Sequence, residues 1–214
     1  MPTKKTFYIA IDASGSMRGG RADAVNVAMH DVVNEVLVNA RKNKDSEIEV
    51  RVAVLTFKGD NTIDWIIPKV NIDLMEENWN PMSQDYFYGE TPTGAAIEAI
   101  IEDFEKGNYG EREKDAIPPV ILLISDGMPN GDNPTYEEVL ERVERDNPKF
   151  SSNFRNSTRI AIGVNVDDSG RESLKKFGRL TRSMEGFQSY YDCSDLKLDE
   201  LVEIIKAVTA GATH

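Results

Sequence analysis

The chain has a single cysteine, Cys193, so no internal disulfide can form, and with no charged, apolar, small-residue leader at Met1-Pro2 the expected setting is the cytoplasm. Long apolar runs are also missing. Stretches such as Val120 to Ile124, after the pair Pro118-Pro119, fall far short of the roughly 20 residues a membrane-spanning helix needs. Positive charge is scarce. Against 37 Asp plus Glu there are 25 Lys plus Arg, a net charge of −12 and a pI of about 4.7. Such a surface repels phosphate backbones and anionic lipid, so the expectation is no nucleic acid and no membrane partner, with cations and basic surfaces favoured instead. The hydrophobic fraction of 40% and charged fraction of 29% are ordinary for a globular protein, and 214 residues suffice for one domain spanning 1–214.

Two patterns alternate along the chain. Short apolar, β-branched runs read as buried strands at Thr6 to Ile11, Ile48 to Phe57, Ile63 to Val70, Val120 to Ser125, Arg159 to Val166 and a short Gln188 to Tyr191. Between them lie helical stripes with apolar residues three and four apart: Val25, Met29, Val32, Val33, Val36, Leu37 and Ala40; then Ile97, Ile100, Ile101 and Phe104; Tyr136, Val139, Leu140 and Val143; Leu174 and Phe177; and Leu201, Ile204, Ile205 and Val208. The second and third strands are separated only by Lys58 to Thr62, which predicts an antiparallel hairpin. The rest predicts an α/β fold, a mostly parallel, doubly wound sheet with helices on both faces. Asn71 to Glu90, with Trp79, Tyr86, Phe87 and Tyr88, is the least regular stretch; its aromatic rings either pack the loop onto the sheet or meet a partner.

In such a sheet a ligand site lies beyond the C-terminal strand ends. There the sequence places Asp12-Ala13-Ser14-Gly15-Ser16, Ser125-Asp126-Gly127 and, ahead of a helix, Thr91-Pro92-Thr93-Gly94. Carboxylates and hydroxyls are hard oxygen ligands, suited to Mg²⁺, with Mn²⁺ or Ca²⁺ as alternatives. Two carboxylates balance a divalent charge. With neutral hydroxyls and water completing the shell, the ion stays electrophilic toward one further anionic oxygen.

These residues resemble a von Willebrand factor A domain with a metal-ion-dependent adhesion site. The family's DxSxS motif stands as Asp12, Ser14 and Ser16, its threonine as Thr91 and its distal aspartate as Asp126. The resemblance implies a Rossmann-like six-stranded sheet in the order 3-2-1-4-5-6 with strand 3 antiparallel. It implies metal ligation by Asp12, Ser14, Ser16, Thr91 and Asp126, direct or through water, with Thr93 as helix cap. A protein partner would present an Asp or Glu to the metal, and the last helix, Asp195 to Ala210, shifts in some relatives. The opening Ile9 to Met17 is similar to bacterial A-domain proteins of tellurite and stress resistance.

Enzyme readings fit less well. Gly15 to Ala22 has a GxxxxG frame, but Arg21-Ala22 stands where a phosphate-binding loop needs Lys-Ser/Thr. A haloacid-dehalogenase-type phosphatase needs a second Asp where Ser14 stands. His30 lies inside a helix, His214 is terminal, and no GxSxG elbow occurs, against a Ser-His-Asp hydrolase. Cys193 reads as a buried small residue. The expectation is therefore a binding module and not an enzyme; the alternative is a metal-dependent phosphoryl-transfer enzyme or phosphatase using Asp12 and Asp126.

Overall fold

β1 (Thr3–Asp12) shows why the strands are so apolar: Phe7, Ile9 and Ile11 enter one core layer while Tyr8 and Ala10 enter another. A central strand with both faces covered has no reason to alternate polar with apolar residues. The computed structural model describes residues 3–43, 47–106, 116–145, 152–193 and 198–213. β1 pairs in parallel with β2 (Ile48–Lys58) and β4 (Val120–Ser125), β4 with β5 (Thr158–Gly163), and β5 with β6 (Tyr190–Asp192). β3 (Thr62–Asn71) is antiparallel to β2, as the hairpin loop predicts. The sheet order is β3-β2-β1-β4-β5-β6. Pro68 lies in edge strand β3, where a missing N–H is tolerated.

Helices cover both faces. α1 (Gly20–Asp31), α2 (Leu37–Asn43) and α7 (Leu198–Thr213) pack on one side. α3 (Thr93–Lys106), α4 (Tyr136–Glu144), α5 (Ser152–Arg155) and α6 (Asp168–Phe177) pack on the other. α1 runs into α2 through a wider-wound stretch, Val32–Val36, closed by the Leu37 N–H donating to the Val32 carbonyl. Val32, Val33, Leu37 and Ala40 of the predicted stripe are buried, while Val36 is half-buried.

β5 ends at Gly163, three residues before the predicted Val166, because Asn165 takes a left-handed φ of 55°. Asp167 then caps α6 by accepting the Gly170 N–H at 2.7 Å. β6 is displaced toward Asp192 relative to the predicted Gln188 to Tyr191. The predicted start of the last helix at Asp195 lies outside the described residues, as does His214.

The irregular stretch after β3 is tied down along its length. Arg41 donates to the carbonyls of Ile72 and Met75, each at 2.8 Å. Asn26 exchanges two 2.9 Å hydrogen bonds with the Met82 backbone, and Gln84 accepts the Gly19 N–H at 2.8 Å while donating to Asp23. Trp79 and Phe87 are buried in the core, and the Tyr86 hydroxyl sits between Thr56 and Asp64, so packing accounts for these three rings. Tyr88 is the exception, 45% exposed at the end of the sheet that carries Asp12.

Candidate metal centre

β1 delivers Asp12 to its C-terminal end, where its neighbours on either side, β2 and β4, are reached by helical connections on opposite faces. The loop after Asp12 is wedged in place. Ala13 N–H donates to the Phe57 carbonyl at 2.9 Å, Tyr88 N–H to the Ala13 carbonyl at 3.0 Å and Gly15 N–H to the Gly89 carbonyl at 3.1 Å. Gly89 has a φ of 70°, and a Cβ there would lie 2.6 Å from the Gly59 Cα, so both its backbone angle and its neighbour require glycine.

Within this frame the polar side chains form a continuous chain. The Ser14 N–H donates to Asp12 Oδ1 at 2.8 Å, and the Ser125 hydroxyl donates to Asp12 Oδ2 at 2.6 Å. Ser14 Oγ and Ser16 Oγ are 3.0 Å apart, and the Ser16 hydroxyl donates to Asp126 Oδ1 at 2.8 Å. Arg21, from the first turn of α1, donates to Asp126 Oδ2 and, at 2.8 Å, to the Ser16 carbonyl. Asp12, Ser14 and Asp126 are buried, whereas Ser16 is exposed, so the cluster has a protected acidic floor and an open rim.

Thr91 reaches the same end of the sheet through its backbone. Its N–H donates to Asn130 Oδ1 at 2.9 Å and its carbonyl accepts the Asn130 N–H at 3.1 Å, which clamps it to the loop after Asp126. Thr93 differs from expectation. It is the first residue of α3 and its hydroxyl is directed back to the Thr91 carbonyl at 3.5 Å, while Asp132 Oδ2 takes the helix N–H of Gly94 at 2.9 Å. The same oxygen accepts the Tyr136 N–H of α4 at 3.1 Å, so one carboxylate serves two helix starts. Gly94 permits this meeting, since a Cβ there would lie 2.3 Å from the Pro134 carbonyl oxygen.

Burial pushes the Asp12 carboxyl up to about 6, with the charge of Asp126 adding to the effect and the hydrogen bonds from Ser125 and Ser14 opposing it. A buried carboxylate that resists ionisation beside a second acid is a place where a cation gains. The donor set is all oxygen, with the hydroxyls of Ser14 and Ser16 beside the acids and Thr91 held at the same end of the sheet, which fits a hard divalent ion. Among the described residues no three His, Cys, Asp or Glu side chains group to hold a metal, so a closed acidic cage is not what this centre offers. Ser125, Arg21 and Asn130 are partners that the motif reading did not single out. Ser125 was detectable in principle, because the parallel register Ile11↔Ile124 places it beside Asp12.

The sequence profile of the von Willebrand factor type A domain matches residues 7–203. The chain belongs to this family. The VWA domain also matches solved structures across 99% of its length at low identity. They include the pilus adhesin SpaC from Lactobacillus rhamnosus GG (11% identity, TM-score 0.67, 31% of that chain) and a von Willebrand factor type A protein from Catenulispora acidiphila (15%, 0.62, 43%). Another is proximal thread matrix protein 1 from the mussel byssus with a zinc-occupied MIDAS motif (16%, 0.62, 48%). This VWA chain thus spans less than half the length of each of these three structures, and at such identities they establish its fold. No curated protein matches it. Among its described residues no helix is long and apolar enough to cross a membrane.

Proposed function

We propose that this VWA domain is a non-enzymatic protein-interaction module whose metal centre is built from Asp12, Ser14, Ser16, Thr91 and Asp126, with Mg²⁺ as its ion. A bound divalent ion would supply an open coordination position for one carboxylate oxygen of an Asp or Glu on a protein partner. Asp12 and Asp126 supply the countercharge, and Ser14, Ser16 and Thr91 add neutral oxygens that leave the ion electrophilic. Arg18, Tyr88 and Met128 stand exposed on the surrounding loops and supply contacts that select the partner. The proposed setting is the cytoplasm, on the lone cysteine, and a bacterial stress or tellurite response, on the similarity of the opening Ile9 to Met17. The observation that carries the reading is the hydrogen-bonded chain from Asp12 through Ser14 and Ser16 to Asp126, with its acids buried and its rim open. The zinc-occupied MIDAS of the mussel protein lends support, although zinc there is a softer ion than the one proposed here.

The test is thermal unfolding and calorimetric titration of EDTA-stripped protein with Mg²⁺, Mn²⁺ and Ca²⁺, in parallel with Asp12→Ala. A ligand held by the native state raises Tm by mass action, so a saturable shift is expected in the wild type and none in the variant. Absence of binding for all three ions overturns the reading. Thr91→Ala is expected to weaken metal-dependent binding more than Thr93→Ala, and the reverse order would reassign the threonine ligand.

A further inference from the structure

We propose that Arg21 sets the cation affinity of this centre and couples it to the arrival of an anion. The inference rests on the reading of the centre as a divalent-cation site. Its observation is independent of the motif: the Arg21 guanidinium lies across the acidic cluster, with Nη1 donating both to Asp126 Oδ2 and to the Ser16 carbonyl. The Asp126 side chain is 1% exposed and that of Arg21 28%, so the pair is shielded on the acid's side and wet on the arginine's. Both Asp126 oxygens are therefore engaged, Oδ1 by the Ser16 hydroxyl and Oδ2 by the guanidinium.

The balance of charge gives this contact its effect. Asp12 and Asp126 ionised carry two negative charges, which a divalent ion alone would neutralise. With Arg21 present, the same ion leaves the cluster with an excess positive charge. Arg21 thus competes with the ion for Asp126 and repels it at close range in a partly desolvated site, where charge interactions exceed their strength in water. The same excess attracts a carboxylate from outside. Arg21 weakens cation binding in the free domain; an ion that takes Asp126 frees the guanidinium to meet an incoming acid, which lightens that penalty, so by linkage the cation and the acid raise each other's affinity more than their direct contact alone would. Arg21 is in this sense a positioning and affinity-setting residue and not itself a metal ligand.

The experiment titrates EDTA-stripped protein with Mn²⁺, with and without excess acetate as the carboxylate probe, for the wild type, Arg21→Gln and Arg21→Lys. Removing one nearby unit charge is expected to tighten Mn²⁺ binding about tenfold in Arg21→Gln without acetate, equivalent to about 1.4 kcal/mol. Acetate is expected to tighten Mn²⁺ binding to both proteins, through its own contact with the ion, and by a clearly larger factor in the wild type than in Arg21→Gln. Arg21→Lys keeps the charge and is expected to behave like the wild type; this arm stands even if Arg21→Gln does not fold. Mn²⁺ affinity in folded Arg21→Gln equal to or below that of the wild type overturns the proposal alone, as does a Lys variant that binds tightly and ignores acetate. If no variant and no wild-type protein binds Mn²⁺, the metal reading itself has failed and this inference falls with it.

Discussion

Asp12 has no solvent contact and shares its cluster with a second acid, so the residue that most favours a cation also works against the fold that presents it. Its folded-state pKa of about 6 lies above the ordinary value of 3.8. The ionised form therefore opposes folding above about pH 6, and the opposition fades as pH falls toward 3.8. Asp12→Asn keeps the shape, retains an oxygen for the Ser14 N–H and removes the charge. It is expected to raise the stability of the metal-free protein at neutral pH by on the order of 1 kcal/mol, less than the pKa displacement alone implies because the Ser125 hydroxyl loses its charged acceptor. Chemical denaturation of EDTA-treated protein measures this, and a clear destabilisation would show that the hydrogen bonds outweigh the buried charge. In the proposed centre, proton and metal compete for the same carboxylate. The Mn²⁺-induced rise in Tm is therefore expected to be larger about one pH unit above 6 than one unit below it, and a shift of equal size on both sides would separate the metal from Asp12.

At the scale of elements, Asp132 joins α3 to α4 by accepting from the first turns of both, and through the loop it shares with Asn130 it lies close in sequence to the clamp on Thr91. Asp132→Ala leaves two helix starts with an unsatisfied N–H each. The expected loss is about 1–2 kcal/mol, with an unchanged denaturant m-value, measured by urea unfolding; a loss under a few tenths would mean that water replaces the cap. This double cap also marks where sequence reading stops. β1, β2 and β4 are legible because apolar β-branched runs between helical stripes leave few alternatives, and the hairpin is legible because Lys58 to Thr62 is too short for a crossover. The cluster of Asp12, Ser14, Ser16 and Asp126 is legible because all four fall at strand ends of one open sheet edge. Asp132 and Arg21 are not, since their partners are set by how α3, α4 and α1 approach in space, and no local spacing encodes that. The end of β5 likewise depends on one residue, Asn165, adopting a left-handed turn.

The whole molecule carries a net charge of −12, and its effect on the two proposed ligands has opposite sign. The long-range field draws a divalent cation in and pushes an acidic partner away, while the loaded centre attracts the same acid at contact. A partner matched to both requirements offers one carboxylate from a neutral or basic surface, not from an acidic run. Consider two short peptides with one central Asp, flanked in one case by Lys and in the other by Glu, each titrated into the VWA domain at saturating Mg²⁺. At low ionic strength the Lys-flanked peptide is expected to bind severalfold more tightly. Added salt shortens the Debye length to roughly 10 Å at 0.1 M, which screens the distant surface charges more than the contact at the centre, so the gap should narrow. Equal binding at low salt, or preference for the Glu-flanked peptide, would mean that Arg18 and the nearby loops dominate over the field of the molecule. The partner would then have to be sought by shape instead of by charge.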